Sequence, residues 1–377
     1  MSRFIAAEVS TTLSPQLAHW LDSAADGLDT GTIDPSTLLP RLTAAGLAQV
    51  GVPLELGGMG GNVTDAIAAI AAVSERSLAA GLVLWGHRTY IEYLLQSPNA
   101  GLRQQMLPEV LEGRLAGATG LSNAMKFLSG LEELRIHAHH AGEGYTINGN
   151  LAWVTNLPLT GFNVAVAVAR PNGKGAFIAS VASEDEGVFR SPDLDLLALR
   201  STNTAALTFS HSKVAEESII HPDAEQWLPL VRPAFLGLQI GMSIGLAWRA
   251  LSEARKAAGT GRQILQKPID NLSDVLKQQE WELCQGLTNG RFLRDPAQLF
   301  ALRIDFADSV AEALALELQA TGGAAYLSMT GQGFARRWRE AAFIPLITPT
   351  LVQLKTALAG GERDLVPVSP DQQVDGR

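Results

Sequence analysis

Tyr145-Thr146-Ile147-Asn148-Gly149-Asn150-Leu151-Ala152-Trp153-Val154-Thr155-Asn156 lies between two long helical regions and changes the period of the chain. Apolar flanks around Asn148-Gly149 predict a β-hairpin turning at that dipeptide. Runs 162–169, 176–181 and 205–209 read as further short strands. They are separated by Pro171-Asn172-Gly173, Glu186-Gly187 and Ser191-Pro192-Asp193, which carry turn chemistry. Residues 119–220 therefore predict a compact antiparallel β-domain.

Before this segment the pattern is helical. Residues 36–45 repeat apolar side chains at helical spacing. Pro53 and glycines 57, 58, 60 and 61 then break the chain, and Asn62-Val63-Thr64-Asp65 supplies a cap for a helix over 65–80. Shorter helices are predicted around 89–95 and 101–111. After residue 221 helices return, at 234–258, 274–285 and 296–321, the last closed by Gly322-Gly323. A final helix is expected from about 350 to 360. The fold class is α+β: a helical domain at 1–118, a β-domain at 119–220, a helix bundle at 221–365 and a disordered tail at 366–377.

The 377 residues include 46% hydrophobic and 18% charged side chains, a globular composition with more than one core. A net charge of -9 argues against nucleic acid as the main partner. No signal peptide is read at the N-terminus. The most apolar stretch, 234–248, is too short for a membrane span and reads as a buried helix. One cysteine, Cys284, permits no internal disulfide and fits a reducing, cytoplasmic setting.

Several local motifs have plain readings. Gly57-Gly58-Met59-Gly60-Gly61 lacks the preceding strand and the distant acid of a dinucleotide fingerprint, and reads as a tight turn. Gly241-Met242-Ser243-Ile244-Gly245 matches a nucleophile elbow in letters only. Every histidine precedes Ser243, so the glycines and the serine read as small residues at a helix crossing. His137-Ala138-His139-His140, with Glu133 and Glu143 nearby, reads as a polar strand, and no metal is expected.

The order of these pieces resembles the acyl-CoA dehydrogenase family over about residues 40–355. The resemblance rests on Val52-Pro53 with Gly57-Gly58, Pro108 with Gly113 and Gly117-Ala118, and Thr119-Gly120-Leu121-Ser122. It continues through Tyr145, Asn148-Gly149 and Trp153-Val154-Thr155-Asn156, then Leu199-Arg200-Ser201 with Thr204, and Gly245-Leu246-Ala247. Arg262 with Lys267-Pro268, Gln319 with Gly322-Gly323, and Arg339-Glu340 complete it. It implies a C-terminal four-helix bundle and FAD held between that bundle and the β-domain. It also implies a homodimer or homotetramer and an acyl-CoA-like substrate.

By matching position, Thr119, Leu121 and Ser122 would line the flavin edge, and Trp153 and Thr155 would pack on and hydrogen-bond the ring. Arg262 would meet the pyrophosphate of a neighbouring subunit's FAD. Gln319, Gly322 and Gly323 would border its adenosine part, and Thr350 would touch the cofactor.

The chain departs from the family where chemistry is concentrated. Thr348 stands where the resemblance places a catalytic glutamate, and the alternative helical position, 233–238, holds no acid. Ser122-Asn123-Ala124 replaces a Thr-Glu-Pro, and Leu265 replaces a phenylalanine. Threonine does not ionise near neutral pH and cannot take the α-proton that thioester dehydrogenation releases. Asp305, Asp308 and Glu340 read as surface or ion-paired acids. An FAD-dependent dehydrogenase is the leading expectation. A flavin monooxygenase on the same fold, using FMN or FAD with oxygen, is the second, and a silent flavin-fold subunit the third.

Overall fold

The computed structural model describes residues 13–128, 132–142, 144–171, 173, 175–259 and 261–360. The expected tail at 366–377, with Glu143 and Asn172, lies outside them. The N-terminal part comprises α1 (Pro15–Thr30), α2 (Leu38–Ala44), α3 (Val63–Ser74), α4 (Leu78–Leu95) and α5 (Ala100–Leu111). The helix expected over 65–80 is two helices. Asn62 opens α3 with a reciprocal capping box to Asp65, and Ser77 caps a fresh start at α4. The run expected at 89–95 is the second half of α4.

The central sheet contains β1 (Ala116–Thr119), β2 (Ile136–Ala141), β3 (Gly144–Val154), β4 (Phe162–Ala169), β5 (Ala176–Ala182), β6 (Val188–Arg190), β7 (Ala205–Val214) and β8 (Ile219–His221). Helix α6 (Ser122–Leu128) lies between β1 and β2. The strand order is β6-β7-β3-β2-β4-β5-β8, with β1 also on β4. The sheet is mixed, not purely antiparallel, because β1 and β2 both run parallel to β4.

The hairpin turn is also displaced. Asn148-Gly149 lies inside continuous β3, and the β2–β3 hairpin turns at Gly142. Gly149 is required for a different reason. A Cβ there would sit 2.2 Å from the Arg135 carbonyl oxygen.

Strand β5 pairs with the full length of β4 on one edge, so β1 and β2 share the other edge end to end. Between them the chain leaves the sheet through Gly120 and α6. Buried His87 pins β1 in place: Nε2–H donates to the Val110 carbonyl at 2.8 Å, and Nδ1 accepts from Gly117 N–H at 3.0 Å. Burial pushes this imidazole down to about 4, so it is a neutral strut with a fixed tautomer.

The C-terminal part holds α7 (Ala224–Ala257), α8 (Gln266–Thr288), α9 (Arg291–Arg294), α10 (Pro296–Thr321), α11 (Gln332–Ala341) and α12 (Leu351–Gly360). Helix α7 starts ten residues before the expected position, continuing through Pro229 and Pro233. It is long and apolar enough to cross a membrane, but 89% of its most apolar window is buried within the fold. It packs along α10 and α3. Gly241 and Gly245 lie at the α3 crossing, where a Cβ would come within 2.9 Å of the Ile67 carbonyl and 2.2 Å of the Ala71 carbonyl. Ser243 between them is buried in the helix.

Helix α11 is fastened by ion pairs. Buried Glu340 accepts from Leu78 N–H at 3.2 Å and Arg336 at 2.8 Å, and Arg336 also reaches Asp26. Arg339 donates to Asp29, whose other oxygen accepts Leu199 N–H. Arg337 pairs with Glu317 of α10. Burial outweighs Arg336 and pushes Glu340 up to about 7, with Asp29 adding to the rise.

Two outcomes follow. Gly245→Ala should destabilise the protein by about 1–3 kcal/mol through overpacking against α3, read as a lower urea midpoint. Glu340 holds its proton more tightly in the folded chain than at its ordinary value of 4.5. Its contribution is complete below that value and is lost as pH rises through about 7. Urea titrations at pH 5 and pH 8 should differ by on the order of 1–3 kcal/mol from this group, and Glu340→Gln should remove that increment.

Candidate functional site

A cavity of about 270 Å³ opens where β1 ends and α6 leaves the sheet. Its sheet side is formed by Thr119, Gly120, Leu151, Ala152, Trp153 and Thr155. Leu82 and Trp85 of α4 close another side, and Phe343, Leu346, Ile347 and Thr348 form the wall contributed by the C-terminal part. Ser122, Asn123, Lys126, Glu132 and Arg135 form a polar rim. The site thus has an apolar, aromatic body and one charged edge.

Each element holds its residue for a local reason. Thr119 ends β1, and its hydroxyl is 2.8 Å from the hydroxyl of buried Tyr93. Thr155 follows β3. Its hydroxyl is 3.0 Å from that of Thr204, which is 2.8 Å from that of Thr202, giving a buried chain of three hydroxyls. The loop behind it is held by Leu199, a bulky residue at φ 59° whose N–H donates to Asp29. A Cβ at Gly120 would come within 2.8 Å of the Ala165 carbonyl oxygen on β4, so glycine lets the chain turn off the sheet there.

The rim is an ion-pair cluster. Glu132 accepts from Lys126 at 2.7 Å, from Asn123 at 3.3 Å and from Arg135 at 3.5 Å. Asn123 also receives Arg135 N–H at 2.8 Å and donates to the Glu133 carbonyl. Lys126 lowers the Glu132 carboxyl below its usual value. Among the described residues, Glu132 is the only carboxylate lining the cavity, and it is ionised and engaged.

The residues expected to hold a flavin separate into two groups. Thr119, Ser122, Trp153 and Thr155 come together at the cavity, and Thr348 lies on the wall facing them. Leu121 is fully buried and does not line it, and Thr350 caps α12 through Gln353. Arg262 and Gly322 form a separate cluster. The arginine donates to the Ala320 and Ala257 carbonyls, and a Cβ on Gly322 would be 2.9 Å from its guanidinium. Gln319 and Gly323 are exposed beside them.

Asp305 and Asp308 are exposed on α10, and Glu340 is ion-paired under α11. His137 and His139 share the exposed face of β2. Sequence reasoning did not find Leu82, Trp85, Lys126, Glu132, Arg135, Leu151, Ala152, Phe343, Leu346 and Ile347 at this site. They carry no motif, and only the packing of α4 and of residues 343–348 against the sheet brings them together.

The cavity residues fit a flavin ring. Trp85 is buried on the cavity with an indole N–H that has no partner, a donor suited to a ligand acceptor. Trp153 is about half exposed and presents a broad aromatic face. Trp153 and Phe343 are nearly parallel with centroids 6.2 Å apart. A ring between them needs about 7 Å, two contact spacings, so a flavin lies beside this pair and not between its members.

An acyl-CoA dehydrogenase N-terminal domain model matches residues 4–114. Mitochondrial isovaleryl-CoA dehydrogenase of Pongo abelii is 27% identical over 185 residues, covering 48% of this chain and 44% of that protein. The chain therefore spans about half the length of the curated relatives it matches. A glutaryl-coenzyme A dehydrogenase–glutaryl-CoA complex superposes with TM-score 0.78 at 17% identity, over 95% of this chain and 97% of that one. Dibenzothiophene monooxygenase TdsC of Paenibacillus sp. A11-2 superposes with TM-score 0.73 at 18% identity, over 92% and 94%. The N-terminal part thus matches the acyl-CoA dehydrogenase N-terminal domain, and the chain as a whole has the acyl-CoA dehydrogenase fold.

Proposed function

We propose that the chain is an FAD-dependent oxidoreductase acting on an acyl thioester, with the isoalloxazine against Trp153 and Thr155. The observation that carries this reading is the aromatic cavity at the β1–α6 break, with the unpartnered Trp85 indole N–H on it. Bound FAD would supply a hydride acceptor. Trp153, Leu82, Leu151, Phe343, Leu346 and Ile347 would exclude water from its face, and the Thr155 hydroxyl, backed by Thr204 and Thr202, would be held for a hydrogen bond. Arg262 and Gly322 lie away from this cavity. We assign them to the FAD of a neighbouring copy in a homodimer or homotetramer.

A second reading is favoured by the state of the acids. Thr348 cannot take a proton, and Glu132 is held by Lys126, Arg135 and Asn123. Monooxygenation with reduced flavin and oxygen needs no base for an α-proton. The fold likeness to a monooxygenase is compatible with this.

The purified protein should be yellow, with flavin absorbance that fades anaerobically on adding an acyl-CoA. A colourless protein that binds neither added FAD nor added FMN removes both readings. Bleaching that is absent, alongside oxygen-dependent product from supplied reduced flavin, selects the second. Trp153→Ala should weaken flavin affinity by about tenfold, measured by fluorescence titration. Thr348→Glu should raise the rate of acyl-CoA desaturation, because it places a carboxylate on the cavity wall. An unchanged rate would count against the wall lying beside the substrate.

A further inference from the structure

Behind the cavity wall, α7 and α10 meet along a seam containing two guanidinium groups. Among the described residues, neither has a carboxylate partner. Arg303 is fully buried. Its Nε donates to Gln239 Oε1 at 2.9 Å, one terminal nitrogen donates to the Ile344 carbonyl at 2.7 Å, and the other has no partner. Arg232 lies 5.3 Å over the Phe300 ring, and its buried Nε has no partner. Desolvation, opposed by no acid, pulls both down to about 10.

The seam is wired to the cavity. Arg232, Phe235 and Gln239 share one face of α7, at spacings of three and four. Phe235 packs on Trp85 with centroids 5.7 Å apart, and Gln239 Nε2 donates to the Thr348 carbonyl at 3.1 Å. Trp85 and Thr348 both line the cavity. The Arg303 guanidinium is thus two hydrogen bonds behind the wall.

The structural role of Arg303 explains its hydrogen bonds but not its charge. A neutral donor satisfies a carbonyl and an amide oxygen equally well. A buried cation without a counter-ion is strongly unfavourable, and replacing such groups by apolar ones is often stabilising. The cavity rim has the same sign, with Lys126 and Arg135 set against Glu132 alone. The missing negative charge is therefore one that arrives with a ligand.

We propose that the cavity takes a carboxylate-bearing substrate, whose charge is complemented across the wall by Arg303 with Arg232 beside it. This rests on the oxidoreductase reading above and names its substrate class. One unit charge acting through the protein interior is enough for roughly tenfold discrimination.

The test uses a matched pair that requires no thioester, hexanoate and hexanamide. They are titrated by calorimetry into the purified protein at pH 7 and low salt. Hexanoate should bind at least about tenfold more tightly. Arg303→Met should bring the two within about twofold of each other, Arg303→Lys should restore the preference, and Arg232→Met should reduce it. Equal affinities in the unsubstituted protein overturn the proposal, as does a preference that survives Arg303→Met. Should Arg303→Met not fold, the unsubstituted protein and Arg232→Met decide: the proposal stands only if hexanoate is preferred and the substitution reduces the preference. Flavin absorbance, recorded separately on the same preparations, reports the oxidoreductase reading independently.

Discussion

Strand β4 has two edges, and the arrangement of the cavity follows from how they are used. One edge is fully taken by β5, so β1 and β2 must share what remains. Backbone amides and carbonyls need partners when buried, so the chain between the two strands cannot cross the sheet and must leave it. Gly120 makes that exit possible, and α6 with the ion-paired rim fills the detour. The cavity is the space left beside the detour. The neutral His87 strut and the Thr155–Thr204–Thr202 hydroxyls fix its two sheet-side ends.

The C-terminal part meets this opening with a wall that has little regular structure of its own. Residues 343–348 are positioned from behind, through Arg303 to the Ile344 carbonyl and Gln239 to the Thr348 carbonyl. Helix α11, immediately before them, is locked to α1, α4 and α10 by Arg336, Arg339, Glu340 and Arg337. Arg336, Arg337, Arg339 and Glu340 therefore have structural work in holding the wall's approach. The wall and the sheet face each other because ionic and amide contacts remote from the cavity set their separation.

Much of the fold was legible where period and punctuation agree. The bounds of β4 and α10 match the sequence reading because each has a clean apolar period and sharp terminal signals, such as Pro296 and Gly322. Errors arose where one residue type serves two purposes. Gly149 permits a close backbone approach from Arg135, and the sequence offers no way to tell this from a turn. Ser77 is hidden inside an alanine-rich run, so the break between α3 and α4 was lost. Helix α7, expected from 234, begins at Ala224 and runs through Pro229 and Pro233. At the site, ordered motifs pointed to Thr119, Ser122, Trp153, Thr155 and Thr348. Trp85 and the rim charges had no local pattern, since their neighbourhood exists only after three distant segments pack.

The detour between β1 and β2 has a further consequence for how such a protein diversifies. Its ends are fixed by sheet pairing, while α6 and the rim touch the scaffold through side chains more than through strand register. A segment of this kind behaves as an interchangeable cassette. Its length and charge can be rewritten over generations while the strands on either side stay in step, so new ligand preferences can be acquired without refounding the sheet that supports them.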